Sequence, residues 1–147
     1  MKKFSFPLAR VLDWRQTQLR REEIKLEQLY AELRGLDAGL TLLQHELAAA
    51  EADLRAWPAV AARELTALHA YQEHAANERG RIAKARAGCQ QRIAAQLKLL
   101  IQKRRDMKLL EMLKQQRLTA WTQENDREIA QQAEESHLAK WNRRNIQ

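Results

Sequence analysis

A leucine recurs at every seventh position through the first third of the chain, and this repeat constrains the fold more than any other feature. It comprises Leu12, Leu19, Leu26, Leu33, Leu40, Leu47 and Leu54. Seven residues make nearly two turns of an α-helix, so the repeat places an apolar seam along one face, as in a coiled coil. The alternative, an amphipathic helix on a globular core, seldom keeps a strict seven-residue register for so long.

Two prolines divide the chain into two long helices. Pro7 and Pro58 are the only prolines among 147 residues, and there are only 4 glycines. Such scarcity excludes the many turns of a β-sandwich or of repeated βαβ units. We predict helix one over residues 8–56, a turn over 57–61 and helix two over 62–142. The predicted fold class is therefore all-α, a single domain over 1–147 in which two long helices form an antiparallel coiled-coil hairpin, helix two being the longer.

Helix two carries a matching seven-residue repeat, which fixes the register of the hairpin. Its members are Leu68, Ala75, Ile82, Cys89, Gln96, Lys103 and Leu110. Folding at Pro58 places Leu54 opposite Leu68 and Leu40 opposite Ile82, and the two residue numbers of each such pair sum to 122. An antiparallel pair keeps this sum constant. The companion positions, which lie three residues after each leucine of helix one, match less well, because Leu43 then faces Arg79 and Leu36 faces Arg86. Trp57 at the turn is predicted to cover the end of the seam.

The C-terminal part of helix two has no intramolecular partner in this register. Residue 4 pairs near Leu118, which leaves about 25–30 residues with few apolar side chains, namely Trp121, Ile129, Leu138 and Trp141. A single helix with so little to bury is marginally stable in water. We expect this segment to fray or to dock onto another protein.

The positive charge is concentrated in one stretch of helix two. The net charge of the chain is +7, and residues 79–117 alone contain 12 basic and 2 acidic side chains. Three interpretations remain open: a solvated face paired in part with acidic residues of helix one, a surface that docks on an acidic protein, or a nucleic-acid-binding face. The third is the weakest, because residues 79–117 contain no aromatic side chain for stacking on bases.

Motifs that would indicate catalysis or cofactor binding are missing from the sequence. It contains no glycine-rich phosphate loop and no cysteine–histidine cluster, and Cys89 is its only cysteine. We therefore expect a protein that is not an enzyme and that holds no metal and no cofactor. The lone cysteine fits a reducing compartment, and no apolar run approaches the roughly 20 residues of a membrane span. We expect a cytoplasmic protein.

Two segments resemble the FliJ/YscO family of type III export components, and the similarity extends along the chain. The first is Phe4-Ser5-Phe6-Pro7-Leu8-Ala9-Arg10-Val11-Leu12, similar to a Phe-x-Phe-x-Leu element that leads to Val-Leu in flagellar FliJ proteins. The second runs from Met107 to Leu118 and is followed by Trp121, where the family often has tyrosine. Gln115 and Gln116 also depart from the charged residues that are common there.

This resemblance implies a function in flagellar protein export. FliJ proteins resemble the coiled-coil stalk of rotary ATPases, and they bind the hexameric FliI-type export ATPase and the cytoplasmic domain of the export gate FlhA. A role as escort of export chaperones is also ascribed to them. The implied location is the cytoplasm, peripheral to the inner membrane at the flagellar base. The YscO-type component of a virulence secretion system is the nearest alternative, and a basic coiled-coil nucleic-acid-binding protein is another, although no nucleic acid is expected as partner.

Two sets of residues are predicted to bind these partners. The tip set, near the turn, is expected to contact the export gate and comprises Leu43, Leu47, Leu68, Tyr71 and Ala75. The free-end set is expected to contact the ATPase ring and comprises Phe4, Phe6, Lys103, Arg104, Arg105, Lys108, Arg117 and Trp121. A third functional class, a structural homodimer joined along the leucine seam, would be distinguished by its mass in solution.

Overall fold

The structure, a computed structural model that describes residues 3–146, confirms the all-α hairpin. Helix α1 spans Ala9–Ala56 and helix α2 spans Ala62–Asn145, so the second helix is the longer of the two. No strand occurs within residues 3–146. The predicted bounds of α1 and the predicted start of α2 agree to within one residue, and α2 continues three residues beyond its predicted end.

The two prolines lie just outside α1, where they limit it at both ends. At the start, the backbone N–H of Ala9 donates to the carbonyl oxygen of Phe6 at 3.1 Å. At the other end, the N–H of Trp57 donates to the carbonyl oxygen of Leu54 at 3.4 Å, which tightens the last turn. Pro58 follows at once and cannot continue the helix, because it lacks an N–H and its ring clashes with the preceding turn.

Glutamate caps the start of α2, where the sequence offers no serine, threonine or aspartate. The backbone N–H of Ala61 donates to Oε2 of Glu64 at 2.8 Å. In return, the carbonyl oxygen of Ala61 accepts from the N–H of Glu64 at 3.0 Å and from the N–H of Leu65 at 3.2 Å. This is the glutamate half of a capping box, and the carboxylate also lies at the positive end of the helix dipole.

Replacing Glu64 by alanine is expected to lower the free energy of unfolding by about 1 kcal/mol, because the cap and its dipole interaction are both lost. Urea titration monitored by circular dichroism measures this change. Glu46→Ala is the matched control, since Glu46 is an exposed residue in the interior of α1. Equal effects of the two variants would mean that the Glu64 cap contributes nothing of its own.

The helices contribute to two compact units. One unit is Arg20–Ile101 and contains the turn. The other consists of the described residues up to Leu19 together with those from Gln102 onward.

The core of the turn-containing unit is a single layer of small and branched side chains on α2. Its buried hydrophobic residues are Ala75, Ile82, Cys89, Ile93 and Leu100. The leucine repeat of α1 supplies the other side of this core, where its members from Leu26 to Leu54 are half-buried. The seam predicted from the heptads is therefore the interface between the helices.

Contacts between the helices agree with the predicted register. Gln72 Nε2 donates to Glu51 Oε1 at 2.9 Å, and Arg86 Nε donates to Asp37 Oδ1 at 2.7 Å. The residue numbers of each pair sum to 123, one more than the predicted 122. Cys89 Sγ lies 3.3 Å from the carbonyl oxygen of Leu29. These two residue numbers sum to 118, which is within one helical turn of the predicted register.

The companion positions on α2 correct one detail of the prediction. Arg79 and Arg86 are exposed and do not lie in the seam opposite Leu43 and Leu36, whereas their neighbours Glu78 and Ala85 are half-buried. The seam on α2 passes through positions 78, 82, 85, 89, 93, 96 and 100. It therefore takes two successive steps of four residues around Cys89, which is a stutter in the heptad pattern.

The second unit packs the N-terminal residues against the later part of α2. Phe6 and Leu12 are buried, and the rings of Phe4 and Trp121 lie 5.9 Å apart at an angle of 60°. Nη1 of Arg15 lies 3.6 Å from Oδ2 of Asp106. Trp121 is therefore half-buried, and the prediction that it belongs to a segment with no partner was wrong. Arg15 and Asp106 keep the predicted register, since their numbers sum to 121. Phe4 meets Trp121 about one turn beyond Leu118, because the chain before α1 is not helical and advances further per residue.

Candidate partner-binding surfaces

The tip set lies within the turn-containing unit, but its members are unequally accessible. Leu43, Leu47, Leu68 and Tyr71 are half-buried, so each side chain keeps part of its surface in contact with solvent. Ala75 is only 1% exposed. The prediction that Ala75 touches a partner is corrected, because its methyl group is enclosed between the helices and supports the surface from beneath.

Two shallow grooves flank the turn and share Leu54, Trp57 and Leu68 as lining residues. Trp57 is 47% exposed and Leu65 is 52% exposed. The expectation that Trp57 covers the end of the seam is therefore met only in part, since half of its surface faces solvent. An exposed tryptophan is a typical anchor of protein interfaces, and the exposed leucine beside it adds apolar area. The predicted tip set omits Trp57 and Leu65, although the position of Trp57 beside Pro58 was a usable signal.

Acidic side chains surround these apolar grooves. Residues 44–73 contain five acidic and two basic side chains. Glu51 lines one groove and Asp53 the other. Glu51 accepts the hydrogen bond from Gln72 described above, and Glu64 caps α2, so both are held in place. The tip is thus an apolar surface with a negative rim.

The aromatic members of the free-end set form a small cluster in the second unit. Phe6 is 7% exposed, and the prediction that it contacts a partner is corrected, because it is enclosed within this unit. Phe4 and Trp121 are half-buried and line a groove whose rim carries charges of both signs. The lining residues are Lys3, Phe4, Ser5, Arg117, Ala120, Trp121 and Glu124. Phe4 and Trp121 are therefore the accessible apolar part of the free-end set.

The basic members of the free-end set lie on α2 in the same unit and differ in exposure. Arg104, Arg105, Lys108 and Arg117 are exposed. Lys103 is half-buried at a seam position, as the heptad register predicts. Leu109 and Met112, which are 65% and 51% exposed, lie among these basic residues. This part of α2 combines positive charge with accessible apolar surface, which suits an acidic protein partner.

Part of the basic stretch is neutralised by carboxylates in the turn-containing unit. Arg86 pairs with Asp37 at 2.7 Å, and Arg92 Nη2 pairs with Glu32 Oε1 at 2.9 Å, both across the seam. Arg81 pairs with Glu78 within α2 at 2.9 Å. These side chains are between 33% and 68% exposed, so each pair contributes little to stability. The acidic residues of α1 therefore reduce the positive charge here, as one interpretation of the stretch supposed.

A polar cluster is buried in the seam of the turn-containing unit. Glu22 is 8% exposed, and Gln96 Nε2 donates both to its Oε2 at 2.6 Å and to its carbonyl oxygen at 3.0 Å. Nζ of Lys25 lies 3.3 Å from Glu22 Oε1. A buried carboxylate requires such donors, so the cluster favours the one register that brings Gln96 to Glu22. The predicted sum of 122 would instead place Glu22 opposite Leu100.

Within residues 3–146, no three histidine, cysteine, aspartate or glutamate side chains lie close enough together to hold a metal ion. The helices of this described part include none that is both long enough and apolar enough to span a bilayer. Comparison of the chain with models of protein families, with curated proteins and with solved structures gave no match.

Proposed function

We propose that this chain is a non-catalytic, stalk-like coiled-coil component of a type III protein export apparatus, of the flagellar FliJ type. The observation that carries the proposal is the N-terminal element Phe4-Ser5-Phe6-Pro7-Leu8, in which Phe6 is buried and Phe4 lies against Trp121 of α2. This is the segment through which the sequence resembles the family. Its aromatic residues hold the start of the chain on the helix that carries the basic residues.

The free-end set is proposed to bind the ring of a FliI-type export ATPase. Arg104, Arg105 and Lys108 present positive charge beside the exposed Leu109 and Met112. Long-range attraction to an acidic surface accelerates association, and many weak contacts permit movement without release. A coiled coil bound in this way would promote assembly of the ring and stimulate its ATPase activity.

The tip is proposed to bind the cytoplasmic domain of an FlhA-type export gate. Trp57 and Leu65 supply exposed apolar area, and the grooves between Leu54 and Leu68 can receive side chains of the gate. Binding at both sites would couple the ATPase to the gate. Export chaperones are further proposed partners, and the proposed location is the cytoplasmic face of the inner membrane at the flagellar base.

Reversing the charge of three residues tests the ATPase half of the proposal. Arg104→Glu, Arg105→Glu and Lys108→Glu together should reduce the stimulation of a FliI-type ATPase about twofold or more at roughly 0.1 M salt, where exposed charges still interact over about 10 Å. Lys103 is left unchanged, because it is half-buried in the seam and its reversal would disturb the fold.

The matched control reverses Arg20, Arg21 and Arg34, three exposed residues of α1, and so applies the same change in net charge. We expect this control to retain full stimulation. Unchanged stimulation by the Arg104/Arg105/Lys108 variant, or an equal loss in the control, would remove the basic residues from the mechanism. A band shift of duplex DNA near physiological salt that the triple variant abolishes would favour the nucleic-acid alternative instead.

A further inference from the structure

The last part of α2 is helical although it packs against nothing in the described chain. Every residue from 126 to 146 is exposed, and α2 continues to Asn145. Ile129 and Trp141 are 54% and 57% exposed. An isolated helix of this length is marginal in water, so this segment gains most if another helix covers its apolar side chains.

Eight residues of this segment lie on one face, which we call the tail stripe. They follow the helical spacing of three and four residues that brings side chains onto a common side. The tail stripe consists of Asp126, Ile129, Ala130, Ala133, His137, Lys140, Trp141 and Arg144. Its first half carries one acid, one isoleucine and two alanines, and its second half carries a lysine, an arginine, a histidine and a tryptophan.

The tail stripe is complementary to itself when it is read in the opposite direction. In an antiparallel pair of identical helices centred on residue 135, Asp126 lies opposite Arg144 of the other copy. Ala133 lies opposite His137, and Ile129 and Ala130 share a layer with Lys140 and Trp141. Each of these pairings has residue numbers that sum to 270 or to a value within one of it. Asp126 thus meets the opposite charge of Arg144, and Trp141 meets the small Ala130.

We propose that the tail stripe is a homodimer interface at which a second copy of this chain pairs antiparallel. Trp141 of each copy packs over Ala130 of the other, and the aliphatic stem of Lys140 covers Ile129. Asp126 and Arg144 form an ion pair at each end, and neither has an ion-pair partner within residues 3–146 of its own chain. This inference does not depend on the proposed export function.

The size of the surface indicates a weak and reversible dimer. Two helices in contact over about five turns bury less than the roughly 1,200 Å² at which stable complexes begin. We expect a dissociation constant on the order of 100 µM for the full chain. The charged ends make dimerisation weaker at high salt.

Sedimentation equilibrium of the full chain, from about 10 to about 500 µM, measures the dimerisation directly. Asp126→Arg and Arg144→Asp should each weaken the dimer about tenfold, because both symmetry-related pairs become repulsive. An equimolar mixture of the two variants should regain wild-type affinity, since each end of the mixed dimer then joins one arginine to one aspartate. Circular dichroism checks that each variant remains helical.

The controls Glu128→Arg and Arg143→Asp make the same charge changes at exposed positions outside the tail stripe, and they should dimerise like the wild type. A chain that stays monomeric throughout the concentration range would overturn the proposal. So would a dimer that all four variants leave unchanged, which would indicate association through the leucine seam, or a mixture that fails to regain affinity.

Discussion

Replacing Leu100 by alanine is expected to lower the free energy of unfolding by about 3 kcal/mol, the largest effect that we expect of any single truncation in this chain. Leu100 is 1% exposed and, with Cys89, is one of the two largest fully enclosed side chains of the described residues. A two-helix interface is only one layer thick, so the neighbouring side chains can close a cavity only by moving the helices. The lost transfer energy and the cavity therefore add.

The matched control is Leu109→Ala, in the same helix. Leu109 is 65% exposed, so its truncation removes little buried surface, and the free energy of unfolding should change by less than about 0.5 kcal/mol. Urea denaturation followed by circular dichroism measures both variants. Similar losses at the two positions would show that Leu100 is not enclosed between the helices.

Replacing Gln96 by leucine is expected to lower the free energy of unfolding by about 2 kcal/mol, although it adds apolar surface to the seam. The amide of Gln96 donates to Glu22 Oε2 at 2.6 Å, and Glu22 is 8% exposed. Removing this donor leaves a buried carboxylate oxygen without one of its hydrogen bonds. The penalty arises from the group that remains, so it exceeds the net contribution of the bond itself.

A double variant separates the penalty of the unpaired carboxylate from the net contribution of the hydrogen bond. Glu22→Leu together with Gln96→Leu removes the carboxylate as well, and we expect stability equal to the wild type or higher, because paired buried polar groups are often replaceable by apolar ones. Gln91→Leu, at an exposed position of α2, is the control for the amide-to-leucine change. If the double variant is less stable than Gln96→Leu alone, the account of the cluster is wrong.

Periodicity and the two prolines predicted most of the fold. The leucine repeat predicted the face of α1 that packs, and Pro58 predicted where the chain reverses. Both depend on local chemistry: a heptad places side chains on one helical face, and proline lacks an N–H wherever it occurs. The same reasoning placed Cys89 and Ile82 in the seam, where the structure has both buried.

The candidate surfaces were less predictable, because accessibility depends on how the two helices pack. Ala75 and Phe6 were expected to face partners, yet both are enclosed. Trp121 was expected to lack a partner, yet it lies against Phe4. The register placed Phe4 near Leu118, one helical turn short of Trp121, and the actual contact depends on how the non-helical residues before α1 are arranged.

Local interactions were enough to predict the two helices, the bounds of α1, the start of α2 and the face of α1 that packs. Helix packing added what no local pattern indicates: the stutter near Cys89, the hydrogen bonds of Gln96 to buried Glu22, and the exposure of Arg79 and Arg86. These features depend on the rotation and separation of one helix relative to the other. That geometry is set by packing across the whole seam, and no short segment of sequence specifies it.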